Sequence, residues 1–143
     1  MKKNWLVAAA FWVIGAAAVF AKSVNVEIGG KLFQLNLSET GAAESFVSAA
    51  AGKSIDMSRF GGFEFYSYTT LSASSADERT SHYKAGHVYY NLDFKAISVA
   101  YADHGLGSGS AVEIGEFADK SVCSFLKEFS GRNAALVLQG GKN

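Results

Sequence analysis

The chain has 143 residues, 13 of them basic and 13 acidic, so its formal net charge is zero. This length suits one domain, and the balanced charge gives no attraction to nucleic acid or to an anionic membrane surface. The single cysteine, Cys123, excludes an internal disulfide, and the lack of proline means that turns depend on glycine, serine, asparagine and aspartate.

Residues 1–21 have the order of a secretory signal peptide. Lys2 and Lys3 precede an uncharged, mostly apolar run at residues 5–21, and Ala21 stands where a signal peptidase would cut. A retained membrane anchor is the alternative, but this run reaches roughly 25 Å, less than a hydrocarbon core of about 30 Å. We therefore expect a cut after Ala21 and a periplasmic or secreted domain over residues 22–143, with no membrane contact after cleavage.

The rest of the chain reads as short strands with two helices. Two alternating runs joined at Gly29-Gly30 predict a β-hairpin, after which Ser38 or Thr40 caps a helix that ends at Gly52. The predicted strands cover residues 24–28, 31–37, 54–57, 63–68, 87–92, 95–101, 112–117 and 134–138, and a second helix covers residues 120–129.

Two stretches have no regular pattern. Residues 71–84 are polar and rich in serine, and we expect a long loop that is functional or mobile. Whether this loop acts as a lid is left undecided by the sequence. Residues 103–110 form a further loop. The predicted fold class is mainly β: a small closed antiparallel β-barrel of about eight strands, with its ends plugged by the two short helices.

Several segments, in this order and spacing, resemble the bacterial cyclophilin-like domain family: VEIGGKLF at 26–33, IDM at 55–57, GFEFY at 62–66, AGHVYY at 85–90 and VEIGEF at 112–117. The resemblance runs from about residue 24 to residue 138 and implies a small eight-stranded barrel related to cyclophilin. True cyclophilins isomerise prolyl bonds with an arginine beside a phenylalanine-lined pocket. That catalytic set is not recognisable here, and Arg59-Phe60 is its nearest imitation, so the catalytic residues stay unknown.

Aromatic residues are dense between residues 60 and 101. Alternation along the strand at 63–68 puts Phe63 and Phe65 on one face, as core, and Tyr66 and Tyr68 on the other. Tyrosines around a cleft suit a peptide, a sugar or another flat ligand. We place Arg59 in a turn at the barrel mouth, where its guanidinium would donate to a carbonyl or carboxylate oxygen.

His87 is the candidate for acid–base work, because an unperturbed imidazole titrates near pH 6.5. The three histidines lack the short fixed spacing of a metal site, so no metal and no cofactor is expected. The residues predicted to bind a ligand are Arg59, Phe60, Tyr66, His87, Tyr89 and Tyr101.

Three functional hypotheses follow. The first is an exported binding module that holds a peptide segment or small ligand in an aromatic groove. The second is a peptidyl-prolyl isomerase of low efficiency, in which Arg59 polarises the prolyl amide. The third, which rests on the family resemblance, is an accessory domain for a flavodoxin-like redox partner.

Overall fold

The computed structural model of the chain describes residues 20–139, with side chains from residue 22 onward. Most of the predicted signal segment lies outside the described residues. The elements are β1 (Phe20–Ile28), β2 (Lys31–Ser38), α1 (Gly41–Ala50), β3 (Ser54–Phe60), β4 (Glu64–Tyr68), β5 (Arg79–Thr80), β6 (His82–Tyr83), β7 (His87–Asn91), β8 (Ala96–Ala100), β9 (His104–Gly105), β10 (Ala111–Phe117), α2 (Ser121–Glu128) and β11 (Asn133–Gln139).

Eight of these strands close into an antiparallel barrel. Their order is β2-β1-β11-β3-β4-β8-β7-β10, and β10 pairs back onto β2, so the barrel has no open edge. The predicted mainly β barrel with two helices is therefore confirmed.

Glycine is required at two points of the barrel. Gly29 and Gly30 both have positive φ, 59° and 90°, as the tight hairpin turn between β1 and β2 demands. Gly115 lies on β10 just after a register shift in the pairing of β10 with β7. On its other side it pairs with Leu37 of β2. A Cβ at Gly115 would lie 2.5 Å from the backbone oxygen of Asn36, so closure of the barrel requires glycine there.

The core fills the barrel, and the two helices cover it. Side chains that alternate inward along the strands pack against Phe46 of α1 and Leu126 of α2, both fully buried. Helix α1 begins where the Thr40 hydroxyl accepts from the Ala43 amide, as predicted for this cap.

Asp77 gives the start of α1 a second set of acceptors from a distant part of the chain. Its carboxylate accepts from the amides of Gly41 at 2.8 Å, Ala42 at 3.1 Å and Ser74 at 2.9 Å. Burial alone would raise the pKa of Asp77, but these amide hydrogen bonds, with the charge of Arg79, lower it below its ordinary value. The ionised Asp77 side chain therefore fastens the polar segment at residues 71–84 to the start of α1.

The two predicted loops contain short strands that lie against the outside of the barrel. Strand β5 pairs with the start of β10, and β6 pairs with β9 to form a small ribbon. Two-residue strands carry too little alternation to be recognised in a sequence, so these stretches had been predicted as loops. Among the described residues, no helix is long and apolar enough to cross a membrane.

Candidate functional site

A second, smaller core lies on the outer face of the barrel. Side chains that point outward from β7, β8 and β10 include Tyr89, Ala100 and Ala111, and Tyr83 of the ribbon packs over them with Leu106. The rings of Tyr83 and Tyr89 stack with their centroids 4.6 Å apart. The ribbon thus covers one part of the outer face and ends beside an uncovered part.

The uncovered part is a cleft of about 410 Å³, within the range typical of ligand sites. We call it the aromatic cleft. It is lined by Phe60, Phe63, Glu64, Tyr66, Tyr68, Asn91, Phe94, Ala96, Ser98, His104, Gly105 and Leu106.

Strand β4 supplies one wall of the aromatic cleft. Phe65 points into the barrel and is fully buried, so the alternating neighbours Tyr66 and Tyr68 point outward, as predicted. Their rings meet edge to face with centroids 5.1 Å apart, and Phe60 meets Tyr66 in the same way at 6.1 Å. This contiguous set of rings offers both faces and edges to a ligand.

Turns and the β6–β9 ribbon supply the remaining walls. Phe94 stands in the turn between β7 and β8, where Asn91 Oδ1 accepts from the amides of Asp93 and Phe94. Phe63 stacks flat on His104 with ring centroids 3.6 Å apart. Phe63 had been predicted to belong to the core, but β4 begins only at Glu64, so the strand's alternation does not extend to it.

Glu64 is the acidic side chain of the aromatic cleft. It is only 9% exposed, and its Oε1 is buried with no hydrogen-bond partner within the described part of the chain. Burial raises the pKa of Glu64 more than the neighbouring Ser98 hydroxyl lowers it. A buried carboxylate oxygen without a partner costs free energy, and cleft residues often carry such a cost for a functional reason.

A chain of hydrogen bonds leads to Glu64 from beneath the ribbon. Asn91 Nδ2 donates to the Tyr83 hydroxyl at 3.2 Å, and that hydroxyl donates to Ser98 Oγ at 3.1 Å. Because Ser98 Oγ accepts from Tyr83, its own proton is free to point at Glu64. The Ser98 hydroxyl is therefore the donor of this chain that is left for the Glu64 carboxylate.

Comparison with known proteins agrees with this architecture. The sequence model of the Cyclophilin-like family matches residues 26–136, which include all eight barrel strands in whole or in part. The chain belongs to the Cyclophilin-like family. No curated protein and no solved structure gives a significant match.

In this Cyclophilin-like domain, two of the six residues predicted to bind a ligand line the aromatic cleft. They are Phe60 and Tyr66, and binding by them stays a prediction. The structure does not bring the other four, Arg59, His87, Tyr89 and Tyr101, to the cleft.

Arg59 holds the end of α2. It lies on β3 rather than in a turn, and the strand's alternation turns it inward, as for Met57. Its guanidinium donates to the carbonyl oxygens of Leu126 at 3.3 Å and Gly131 at 3.4 Å, and at a shorter distance to that of Phe129. It also donates to the Tyr101 hydroxyl at 2.9 Å. Arg59 and Tyr101, both predicted to bind a ligand, are thus bonded to each other, and Arg59 is also bonded to the end of α2 and the chain that follows it.

Arg59 also lies over aromatic rings. Its guanidinium carbon is 4.6 Å from the centroid of the Phe65 ring and 5.7 Å from that of Tyr101. Among the described residues, which include all three arginines of the chain, no arginine lines the aromatic cleft.

His87 and Tyr89 lie farther along the outer face, on β7. His87 Nδ1 is 3.0 Å from Glu113 Oε2, and its Nε2 is 3.6 Å from Glu116 Oε2. The Tyr89 hydroxyl accepts from the Lys84 amide beneath the ribbon, and burial raises the pKa of Tyr89 to about 12. Both side chains are therefore held by neighbouring protein groups.

The sequence prediction missed Glu64, Ser98 and Asn91 as cleft residues. Glu64 carried a usable signal, because alternation along GFEFY places it on the same face as Tyr66. Ser98 and Asn91 carried none, since their roles depend on pairing between strands that are distant in the sequence. No group of three or more His, Cys, Asp or Glu residues in the described part of the chain could hold a metal ion.

Proposed function

We propose that this Cyclophilin-like domain is an exported binding module that holds a peptide segment or small ligand in the aromatic cleft. One observation carries the proposal. Of the four large hydrophobic side chains that are exposed within the described residues, Phe60, Tyr68 and Phe94 line this one cleft. Exposed apolar surface concentrated in one concave place is typical of a binding site, whereas scattered exposed residues need no functional explanation.

The polar part of the cleft supports the same proposal. A ligand site usually combines apolar walls with a few placed polar groups that fix orientation. Here Glu64 and Ser98 lie against aromatic walls. Tyr83, which accepts from Asn91, donates to Ser98 and holds it in place.

The binding proposal is tested with two matched variants. Phe94 is 68% exposed in the cleft, and Leu32 is 55% exposed outside it, on β2. A set of blocked tripeptides with a varied central residue is titrated into the purified protein by calorimetry at millimolar concentration. We expect Phe94→Ala to weaken the binding of any tripeptide that binds, and Leu32→Ala to leave it unchanged. Equal effects of the two substitutions, or no binding by any tripeptide, would contradict the proposal.

Export rests on the residue order at 1–21 and has its own test. We expect the intact mass of the protein recovered from cells to correspond to a chain that begins at Lys22. An uncut chain found in the membrane fraction would contradict export by a cleaved signal.

A further inference from the structure

Glu64 lies in the aromatic cleft without a counter-ion. Each ion pair that the structure shows among the described residues involves His87 or Lys120, and none involves Glu64. No lysine or arginine among these residues lines the cleft, and Glu64 is its acidic member. The cleft thus has one carboxylate and no lysine or arginine of its own to neutralise it.

The aromatic rings around Glu64, like its carboxylate, favour a positively charged ligand. The face of an aromatic ring carries negative charge density, and a cation within about 6 Å of a ring centroid is attracted to it. Tyr66 and Tyr68 point outward from the same strand as Glu64, and Phe94 also lines the cleft. A carboxylate beside several ring faces is an environment that stabilises an organic cation.

We propose that the aromatic cleft binds the cationic side chain of a peptide, a guanidinium or ammonium group, with Glu64 as its counter-ion and the rings of Tyr66, Tyr68 and Phe94 around it. This inference rests on the proposed function and specifies the chemistry of its ligand. Glu64 lines the cleft without a counter-ion among the described residues, and the cation pairs with the charge of its carboxylate. The aromatic walls contact the apolar stem of the same side chain.

A neutral ligand is the competing occupant. If Glu64 were protonated, it would donate a hydrogen bond to a carbonyl oxygen instead of pairing with a cation. Binding of a cation weakens as the pH falls and Glu64 takes up a proton, whereas binding of a carbonyl strengthens. The titratable groups that face Glu64 are Tyr66 and Tyr68 on β4, Tyr83 on β6 and His104 on β9.

The test compares charged side chains with uncharged side chains of similar shape. Blocked tripeptides carrying arginine, citrulline, lysine or norleucine at the centre are titrated into the purified protein at neutral and acidic pH. We expect arginine to bind at least about tenfold more tightly than citrulline, and lysine than norleucine, because a charged hydrogen bond and a ring contact are lost together. The advantage of the cations is expected to shrink as the pH falls. His104→Phe, which preserves the aromatic stack on Phe63, is expected to keep this pH dependence.

Two variants connect the preference to the cleft. Glu64→Gln is expected to abolish the advantage of arginine over citrulline, while Glu128→Gln, which makes the same charge change on exposed α2, leaves it intact. Tyr68→Leu replaces a ring that is 70% exposed, so the barrel stays folded, and it is expected to weaken the arginine peptide several-fold and the citrulline peptide little.

The outcomes separate this inference from the proposed function. If the arginine and citrulline peptides bound equally and their binding still depended on Phe94, the proposed preference for a cation would be refuted and the proposed binding function would stand. Binding that strengthens as the pH falls would assign the site to a carbonyl ligand and refute the binding of a cation. Methylguanidinium that binds as tightly as the arginine peptide would overturn the peptide as its source. No binding by any peptide would overturn both the inference and the proposed function.

Discussion

Replacing Arg59 distinguishes a structural role from the binding role that its sequence position had suggested. Arg59→Ala removes the hydrogen bonds to three carbonyl oxygens near the end of α2, the bond to the Tyr101 hydroxyl, and the contact with the Phe65 ring. We expect the purified variant to remain folded but less stable, with ligand binding in the aromatic cleft unchanged.

The size of the loss follows from these contacts. A hydrogen bond from a charged donor contributes about 1.5–3 kcal/mol, and a guanidinium over a ring about 0.5–2 kcal/mol. Water can reach part of this half-buried site once the side chain is gone and replace some of the bonds. We therefore expect a net loss of about 3 kcal/mol in the free energy of unfolding, a substantial fraction of a typical domain stability of roughly 5–15 kcal/mol.

Urea unfolding at 25 °C measures this loss, and two further variants check its cause. Arg132→Ala removes the same charge from an exposed position and is expected to change the free energy of unfolding by less than about 0.5 kcal/mol. Tyr101→Phe combined with Arg59→Ala should be clearly less destabilising than the sum of the two single losses, because the two side chains share a hydrogen bond. A stability loss below about 1 kcal/mol together with weaker ligand binding would refute the structural role.

Three other substitutions test separate parts of the structure. Asp77→Ala should lower the free energy of unfolding by about 2–3 kcal/mol at pH 7, because three amides lose a charged acceptor. Since the folded-state pKa of Asp77 is lowered, the wild-type protein is the more stable one above pH ~4, and its advantage disappears as the pH falls through that pKa. Urea unfolding at a series of pH values measures this difference. Gly115→Ala should cost about 2–3 kcal/mol or prevent folding, because its Cβ would meet the Asn36 carbonyl, whereas Gly62→Ala, with open space around it, should change the melting temperature little. Glu64→Gln should stabilise the ligand-free protein by about 1 kcal/mol at neutral pH and should have no effect in acid. The pKa of Glu64 is raised in the folded state, so the wild-type protein loses stability as the pH rises through that pKa. If the free energies of unfolding of the two proteins, plotted against pH, ran parallel, this prediction would be contradicted.

Much of the barrel could be predicted because its signals are local. The double glycine at 29–30 requires positive φ, and alternation along each strand separates one buried face from the other. The eight barrel strands were therefore predicted near their observed positions, and the family resemblance was confirmed.

The site was harder to predict, since it depends on where each strand ends and on which strands become neighbours. The sequence pattern predicts that the third strand ends at residue 57, which would put Arg59 in a turn. The structure continues β3 to Phe60, because β3 pairs there with β4, and alternation over these three additional residues turns Arg59 inward and Phe60 outward. Glu64 and Ser98 are neighbours only because β4 pairs with β8, which no local pattern specifies.

We propose that the aromatic cleft is where this Cyclophilin-like domain holds its ligand. Amide chemical shifts measured by NMR, as the arginine tripeptide is titrated into the purified protein, test it most directly. We expect the largest changes to occur along β4, β8 and the segment at His104–Gly105, and Glu64→Gln to suppress them. Changes concentrated instead around Arg59 and Leu126, or around His87 and Glu113, would place the ligand elsewhere and contradict binding in the cleft.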